Sequence, residues 1–163
     1  MQLNILKNEM DLCIGAFYIR DFRPDDIQTL YGILSDPAVM EYIEPPYSYE
    51  KTAVFLQVNG LDTPRKIYAL ADKNDSVIGQ IIFHPYEKDA WEIGWILHES
   101  CWGRGIATAV TLALVERCRE MGVSRCVIEC DPAQTVTRHI AEKCGFSRIE
   151  DRDGLACYSL MLL

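Results

Sequence analysis

The periodic part of the chain opens with Phe17-Tyr-Ile-Arg-Asp-Phe22, aromatic and β-branched residues that fit a pleated strand. Pro24-Asp25-Asp26 predicts a helix start, because proline suits the first helical position and carboxylates suit the positive end of the dipole. Ile27, Leu30, Tyr31 and Leu34 recur at helical spacing until Asp36-Pro37 breaks the run. Beyond a turn at Pro45-Pro46-Tyr47-Ser48, a second helix runs from Ser48 and Lys51 to about Asn59-Gly60, with Ala53, Leu56 and Val58 among its apolar residues. Strands follow at Ile67–Asp72, Val77–Phe83 and Trp91–Leu97, the first two joined by a hairpin turn at Asn74-Asp75-Ser76. Gly79 is expected at a bulge, and Gly94 at a bulge or a close approach of backbone. A long helix starts near Gly103, keeps Ile106, Val110, Ala113, Leu114 and Met121 at helical spacing, and stops at Gly122, a residue suited to a C-terminal cap. Ser124–Cys130 reads as a strand, Asp131-Pro132 as the cap and first residue of a helix ending before Gly145, and Phe146–Ile149 and Leu155–Leu162 as closing strands. The order β-α-α-β-β-β-α-β-α-β-β predicts an α/β fold with one late βαβ crossover. A single domain over residues 1–163 is expected, with residues 1–15 as an N-terminal extension.

Composition narrows the partners. The 163 residues carry 16 basic and 24 acidic side chains, a net charge of −8, without the basic footprint a nucleic-acid binder needs. An acidic surface favours amine-bearing partners instead. No apolar run approaches the roughly 18 residues of a membrane helix. Met1–Gly15 mixes Lys7, Asn8, Glu9 and Asp11 among its apolar residues and does not read as a signal peptide. The 7 cysteines are dispersed, with no C-x-x-C pair. They are expected as reduced thiols in a cytoplasm, mostly small core residues, with no metal site.

Chemistry concentrates in Trp95-Ile-Leu-His-Glu-Ser-Cys-Trp-Gly-Arg-Gly-Ile-Ala-Thr-Ala109. A strand ends, a loop follows, and Gly103, Gly105 and Ala107 open a helix whose first N–H groups and dipole suit a phosphate or pyrophosphate. The plain alternative is a loop whose glycines only make the turn. A dinucleotide fold is a further alternative, with Glu129 or Asp131 as its ribose-binding acid. Against it, Thr108 stands where a third glycine belongs, and one βαβ unit falls short of such a domain. The Gly-Lys-Ser/Thr of a P-loop is absent.

Trp102-Gly-Arg-Gly-Ile-Ala107 resembles the acetyl-CoA loop of the GNAT superfamily of N-acetyltransferases, and Cys101–Thr108 resembles the form it takes in the RimJ/RimL-like branch. Phe17–Asp26, Glu92-Ile-Gly-Trp-Ile-Leu97 and Ala141-Glu-Lys-Cys-Gly-Phe146 resemble that branch's first strand and helix start, fourth strand and fourth-helix end. The resemblance covers about residues 16–160. It implies a mixed central sheet flanked by helices, with splayed fourth and fifth strands. It also implies direct transfer of an acetyl group from acetyl-CoA to a primary amine, on a protein N-terminus or a small molecule. Pantetheine would bond to the backbone of Trp95, Ile96 and Leu97, and the pyrophosphate to the loop from Trp102 through Gly103, Gly105, Ile106 and Ala107 to Thr108, with Arg104 adding charge. Edge strands in such a fold often pair between protomers, so a homodimer is expected.

The sequence departs from its relatives at three positions. Gln134 stands where many members carry Asn, and keeps an amide for pantetheine. Ala141 replaces a Tyr that protonates the departing thiolate in other branches. Thr137 takes the place of a Ser and keeps a hydroxyl, which makes it the candidate thiolate donor. Glu92, between Trp91 and Ile93 in the strand before the loop, is the candidate base, acting directly or through water. His84 and His98 are expected as solvated histidines at strand ends. Met40–Tyr47 is aromatic and acidic, and Tyr42, Glu44 and Tyr47 are expected to receive an ammonium-bearing acceptor. The missing Asn and Tyr leave a second reading, a catalytically weak domain that binds acyl-CoA as a sensor.

Overall fold

The computed structural model describes residues 10–162, so the reading of residues 1–9 within the N-terminal extension lies outside the described residues. Eight strands form one mixed sheet in the order β1-β2-β3-β4-β5-β6-β8-β7. They are β1 (Asp11–Ile14), β2 (Phe17–Arg20), β3 (Ile67–Ala71), β4 (Val77–Glu87), β5 (Ala90–Leu97), β6 (Arg125–Cys130), β7 (Ser147–Arg148) and β8 (Ala156–Met161). The helices are α1 (Ile27–Leu34), α2 (Pro37–Met40), α3 (Tyr49–Leu56), α4 (Ile106–Glu120) and α5 (Thr135–Lys143). Among the described residues no helix is long and apolar enough to cross a membrane.

Side-chain alternation sorts two cores onto the two faces of the sheet. On β4, Ile81 and Phe83 face α4 and pack with Val110, Leu114 and Cys118. Val77 and Ile82, with Ile67 and Ala69 of β3, face α1–α3 and pack with Leu30, Ile33, Leu34 and Leu56. Strand β5 continues the same alternation, with Ile93 and Leu97 toward α4 and Ile96 toward α1–α3.

Several boundaries differ from the sequence reading. The sheet begins at Asp11, inside the expected extension, because Gly15 turns the chain at φ 58° and lets β1 pair with β2 from Asp11–Arg20 to Ile14–Phe17. This added strand makes the splayed pair the fifth and sixth strands. Strand β4 runs to Glu87, so His84 sits inside a strand and not at its end. The Asp131 side chain closes a local turn by accepting the Ala133 N–H at 2.8 Å, which delays α5 to Thr135. Gly122 caps α4 as expected: at φ 75° it donates to Arg119 O at 3.0 Å, and Val123 donates to Cys118 O at 3.0 Å. At Gly79 a Cβ would lie 2.9 Å from Ile96 O, and the β3–β4 register shifts beside it, so the expected bulge is present. Gly94 keeps its register and is instead a close approach, with Ile82 Cδ1 3.2 Å from the place of a Cβ.

Candidate functional site

Strands β5 and β6 run parallel and pair only over Ala90–Glu92 against Arg125–Val127. Beyond Glu92, β5 stays on β4 as far as Leu97, while β6 continues along β8 to Cys130. The strands therefore part, and among the described residues the β5 edge beyond Glu92 has no strand partner on that side. The opening is a cleft of about 510 Å³ that extends from this edge to the start of α4 on one side and of α5 on the other.

The start of α4 is shaped to receive an anion. Gly103 and Gly105 lie at φ 69° and 75°, conformations that glycine adopts freely. Among the described residues nothing lies within 4 Å of where a Cβ would stand on either. Ala109 is the first to bond back along the helix, to Gly105 O at 3.1 Å. The N–H groups of Ile106, Ala107 and Thr108 are thus left without intrahelical acceptors at the positive end of the dipole. Exposed Arg104 adds a full charge. Open space, converging donors and positive potential fit a pyrophosphate.

The structure brings all the expected cofactor residues to this cleft: Trp95, Ile96 and Leu97 from β5, Trp102 to Thr108 from the loop and α4, and Gln134 from the α5 approach. Two of their polar groups already have partners. Trp102 Nε1 donates to Leu97 O at 3.1 Å, folding the indole back on the strand end. Gln134 Oε1 accepts from Asp131 N at 3.3 Å, which leaves its NH₂ as the group available to a ligand. Thr137 also lines the cleft, one helical turn before fully buried Ala141. A tyrosine in place of that alanine would have no room in the packed core.

A second pocket of about 270 Å³ lies on the α1–α3 face. Ile43 and Ile96 line both cavities and mark where they meet. Glu92, Glu44 and Tyr47 line the second pocket, but Tyr42 lines the large cleft. The expected acceptor trio is therefore split. Tyr42 and Ile43 are exposed, while Tyr47 is buried and stacks edge-on against Phe55. Glu44 is engaged within the protein: Tyr47 Oη donates to it, and Lys51 Nζ lies 3.9 Å away. Burial first, then the Glu44 hydrogen bond and charge, push the Tyr47 phenol up, so it stays protonated.

Glu92 and His84 face each other across the β4–β5 ladder, with His84 Nε2 2.8 Å from Glu92 Oε2. His84 Nδ1 meets Pro85 O at 2.8 Å. Burial, and more weakly the Lys66 charge, oppose a charge on the ring, but the hydrogen bonds to Glu92 and Pro85 and the carboxylate charge outweigh them, and the pKa is raised. His84 is thus the partner of the candidate base, a role the sequence reading missed. The available signal was the antiparallel register that a hairpin between β4 and β5 imposes. His98 instead closes the short turn after β5, where its ring accepts from Ser100 N at 3.1 Å. Gln80 and Lys66 also line the small pocket and carried no sequence signal of function.

Three comparisons show the family and the fold. Residues 17–147 match the family described as Acetyltransferase (GNAT) domain. A Bacillus subtilis (strain 168) protein, "Uncharacterized N-acetyltransferase YnaD", is 30% identical over 142 residues, covering 85% of this chain and 84% of its own. Among solved structures, an acetyltransferase (GNAT family) from Bacillus anthracis superposes with a TM-score of 0.82 at 24% identity, covering 93% of this chain and 98% of that one. A RimL ribosomal L7/L12 alpha-N-protein acetyltransferase in complex with coenzyme A superposes with a TM-score of 0.79 at 22% identity, covering 93% and 97%. The two structural likenesses establish the shared fold.

Proposed function

The chain belongs to the GNAT acetyltransferase family, and from that premise we propose that it acetylates a primary amine held in the small pocket beside Glu92 and His84. The observation that carries this reading is the junction of two cavities at Ile43 and Ile96, one shaped for a pyrophosphate-bearing ligand, the other holding a base. Acetyl-CoA is the co-substrate of the family and supplies an acyl thioester. The N–H groups of Ile106–Thr108 and Arg104 hold its pyrophosphate, and the free β5 edge offers backbone groups to the pantetheine. The Gln134 NH₂ is available to the same arm.

Acyl transfer at the junction makes fixed demands. A protonated amine cannot attack, so one proton must leave nitrogen. Ile96 is four residues along β5 from Glu92, about 13 Å at the usual strand rise. Glu92 therefore takes the proton through water. The acceptor nitrogen bonds to the acyl carbon as the carbon–sulfur bond breaks, and the second N–H proton, shed as the amide forms, leaves through the same water to solvent. The Thr137 hydroxyl gives the departing sulfur a proton and recovers one from solvent.

Thiol release from acetyl-CoA across a panel of amines tests this reading. Glu92→Gln keeps shape but cannot accept a proton, and is expected to lower kcat/KM roughly 10²-fold or more near neutral pH, with acetyl-CoA affinity unchanged. Tight acetyl-CoA binding without thiol release from any amine would instead make the chain an acyl-CoA sensor.

A further inference from the structure

Two groups in the small pocket are left without partners. Gln80 is 2% exposed, and its Oε1 is buried with no hydrogen-bond partner among the described residues. A buried amide oxygen left bare costs roughly 1–3 kcal/mol, so its position asks for a donor. Gln80 is the direct cross-strand neighbour of Ile96, the residue at the junction of the two cavities. Gln80 thus stands beside the junction to which the transferase reading brings the attacking nitrogen.

The second group is Lys66. It enters the pocket just ahead of β3, its backbone carbonyl accepting from Phe83 N at 3.0 Å. The two carboxylates that line this pocket have basic neighbours. Glu44 is matched by Lys51 at 3.9 Å, and Glu92 by His84 at 2.8 Å. Among the described residues no carboxylate lies within 4 Å of Lys66, an exposed side chain, so its ammonium is open to a ligand carboxylate.

Building on the transferase reading, we propose that the acceptor is a small primary amine carrying its own carboxylate, its N–H groups held by Gln80 Oε1 and its carboxylate by Lys66. An α-amino acid fits this description, and so does an acidic residue at a peptide N-terminus. A polyamine does not, because its further cations would lie against Lys66 and His84. The pocket volume of about 270 Å³ suits a molecule of amino-acid size.

The test is steady-state thiol release with matched acceptors: free amino acids, their amides, the corresponding decarboxylated amines, and dipeptides beginning with Asp, Glu or Ala. Wild-type kcat/KM is expected to be at least tenfold higher for carboxylate-bearing acceptors than for their amides. Turnover confined to free amino acids identifies the first source, and turnover of Asp- and Glu-initiated but not Ala-initiated dipeptides the second. Lys66→Met is expected to erase the preference, lowering kcat/KM about tenfold for carboxylate-bearing acceptors and leaving amides unchanged. Gln80→Leu is expected to raise KM tenfold or more for every amine without changing the acetyl-CoA Kd. Equal use of acids and amides by the wild type, or a preference that survives Lys66→Met, overturns this proposal and leaves the transferase reading intact. No turnover of any acceptor overturns both.

Discussion

Gly105 and Gly122 bracket the same helix at the same φ of 75°, and among the described residues nothing crowds the place of a Cβ on either. Only Gly105 lines the cleft, which makes the pair an internal control for the cofactor site. Placing an L-residue in the left-handed region costs roughly 1–2 kcal/mol at either position. For a chain of this size that is about 2–8 °C in Tm. Gly105→Val and Gly122→Val are therefore expected to lose similar stability, measured by thermal unfolding without ligand. Their affinities for acetyl-CoA should separate. At Gly105 the branched side chain fills the open space above the Ile106–Thr108 N–H groups and displaces the anion they would hold. Relief of its strain also rotates the neighbouring peptide away. Isothermal titration is expected to show a Kd raised at least tenfold for Gly105→Val, about 1.4 kcal/mol or more. Gly122→Val should bind as wild type. If the Gly105 variant binds acetyl-CoA as tightly as its partner variant, the pyrophosphate site lies elsewhere.

Further outcomes follow from the same geometry. Because His84 has a raised pKa in the folded chain, its ionic contribution to stability is fully present below the unfolded imidazole value and is lost as pH rises through the folded one. His84→Ala should thus cost more stability at pH 6 than at pH 9, and Glu92→Gln should lower the His84 pKa followed by NMR; a cost independent of pH would deny the ion pair. Thr137→Val removes one hydroxyl and is expected to lower kcat roughly tenfold to a hundredfold with little change in acceptor KM, since the interaction forms only as charge reaches sulfur. An unchanged kcat, with chemistry rate-limiting, would assign the proton to water. Asp26 accepts from Arg20 at 2.8 and 3.0 Å, and both residues are buried. Asp26→Ala strands much of that charge and is expected to cost about 3 kcal/mol, read as a lower midpoint in chemical denaturation. A loss below about 1 kcal/mol would show that Asp75, 2.8 Å from Arg20, suffices as its partner.

The linear chain determined most of the elements and the glycine-rich turn proposed to hold a phosphate, because both are local. Gly103, Gly105 and the apolar run from Ile106 specify a turn into a helix within a few residues, and α4 forms with that turn at its start. Gly122 marks the helix end for the same local reason, a left-handed position that only glycine adopts freely. Strand β1 escaped notice because Asp11–Ile14 is short and mixed, and becomes a strand only by pairing with β2. The acceptor side escaped further. Gln80, His84 and Glu92 are spread over two strands, and Lys66 precedes a third. Whether Glu92 meets solvent or an imidazole depends on the β4–β5 register, which places His84 opposite it. Tyr42 and Glu44 are two residues apart in sequence and face different cavities, because the chain turns between α2 and α3 where Ile43 divides the two spaces. Loop chemistry is written in neighbouring backbone angles, whereas a pocket between sheet and helices is assembled from side chains that only the packed fold brings together.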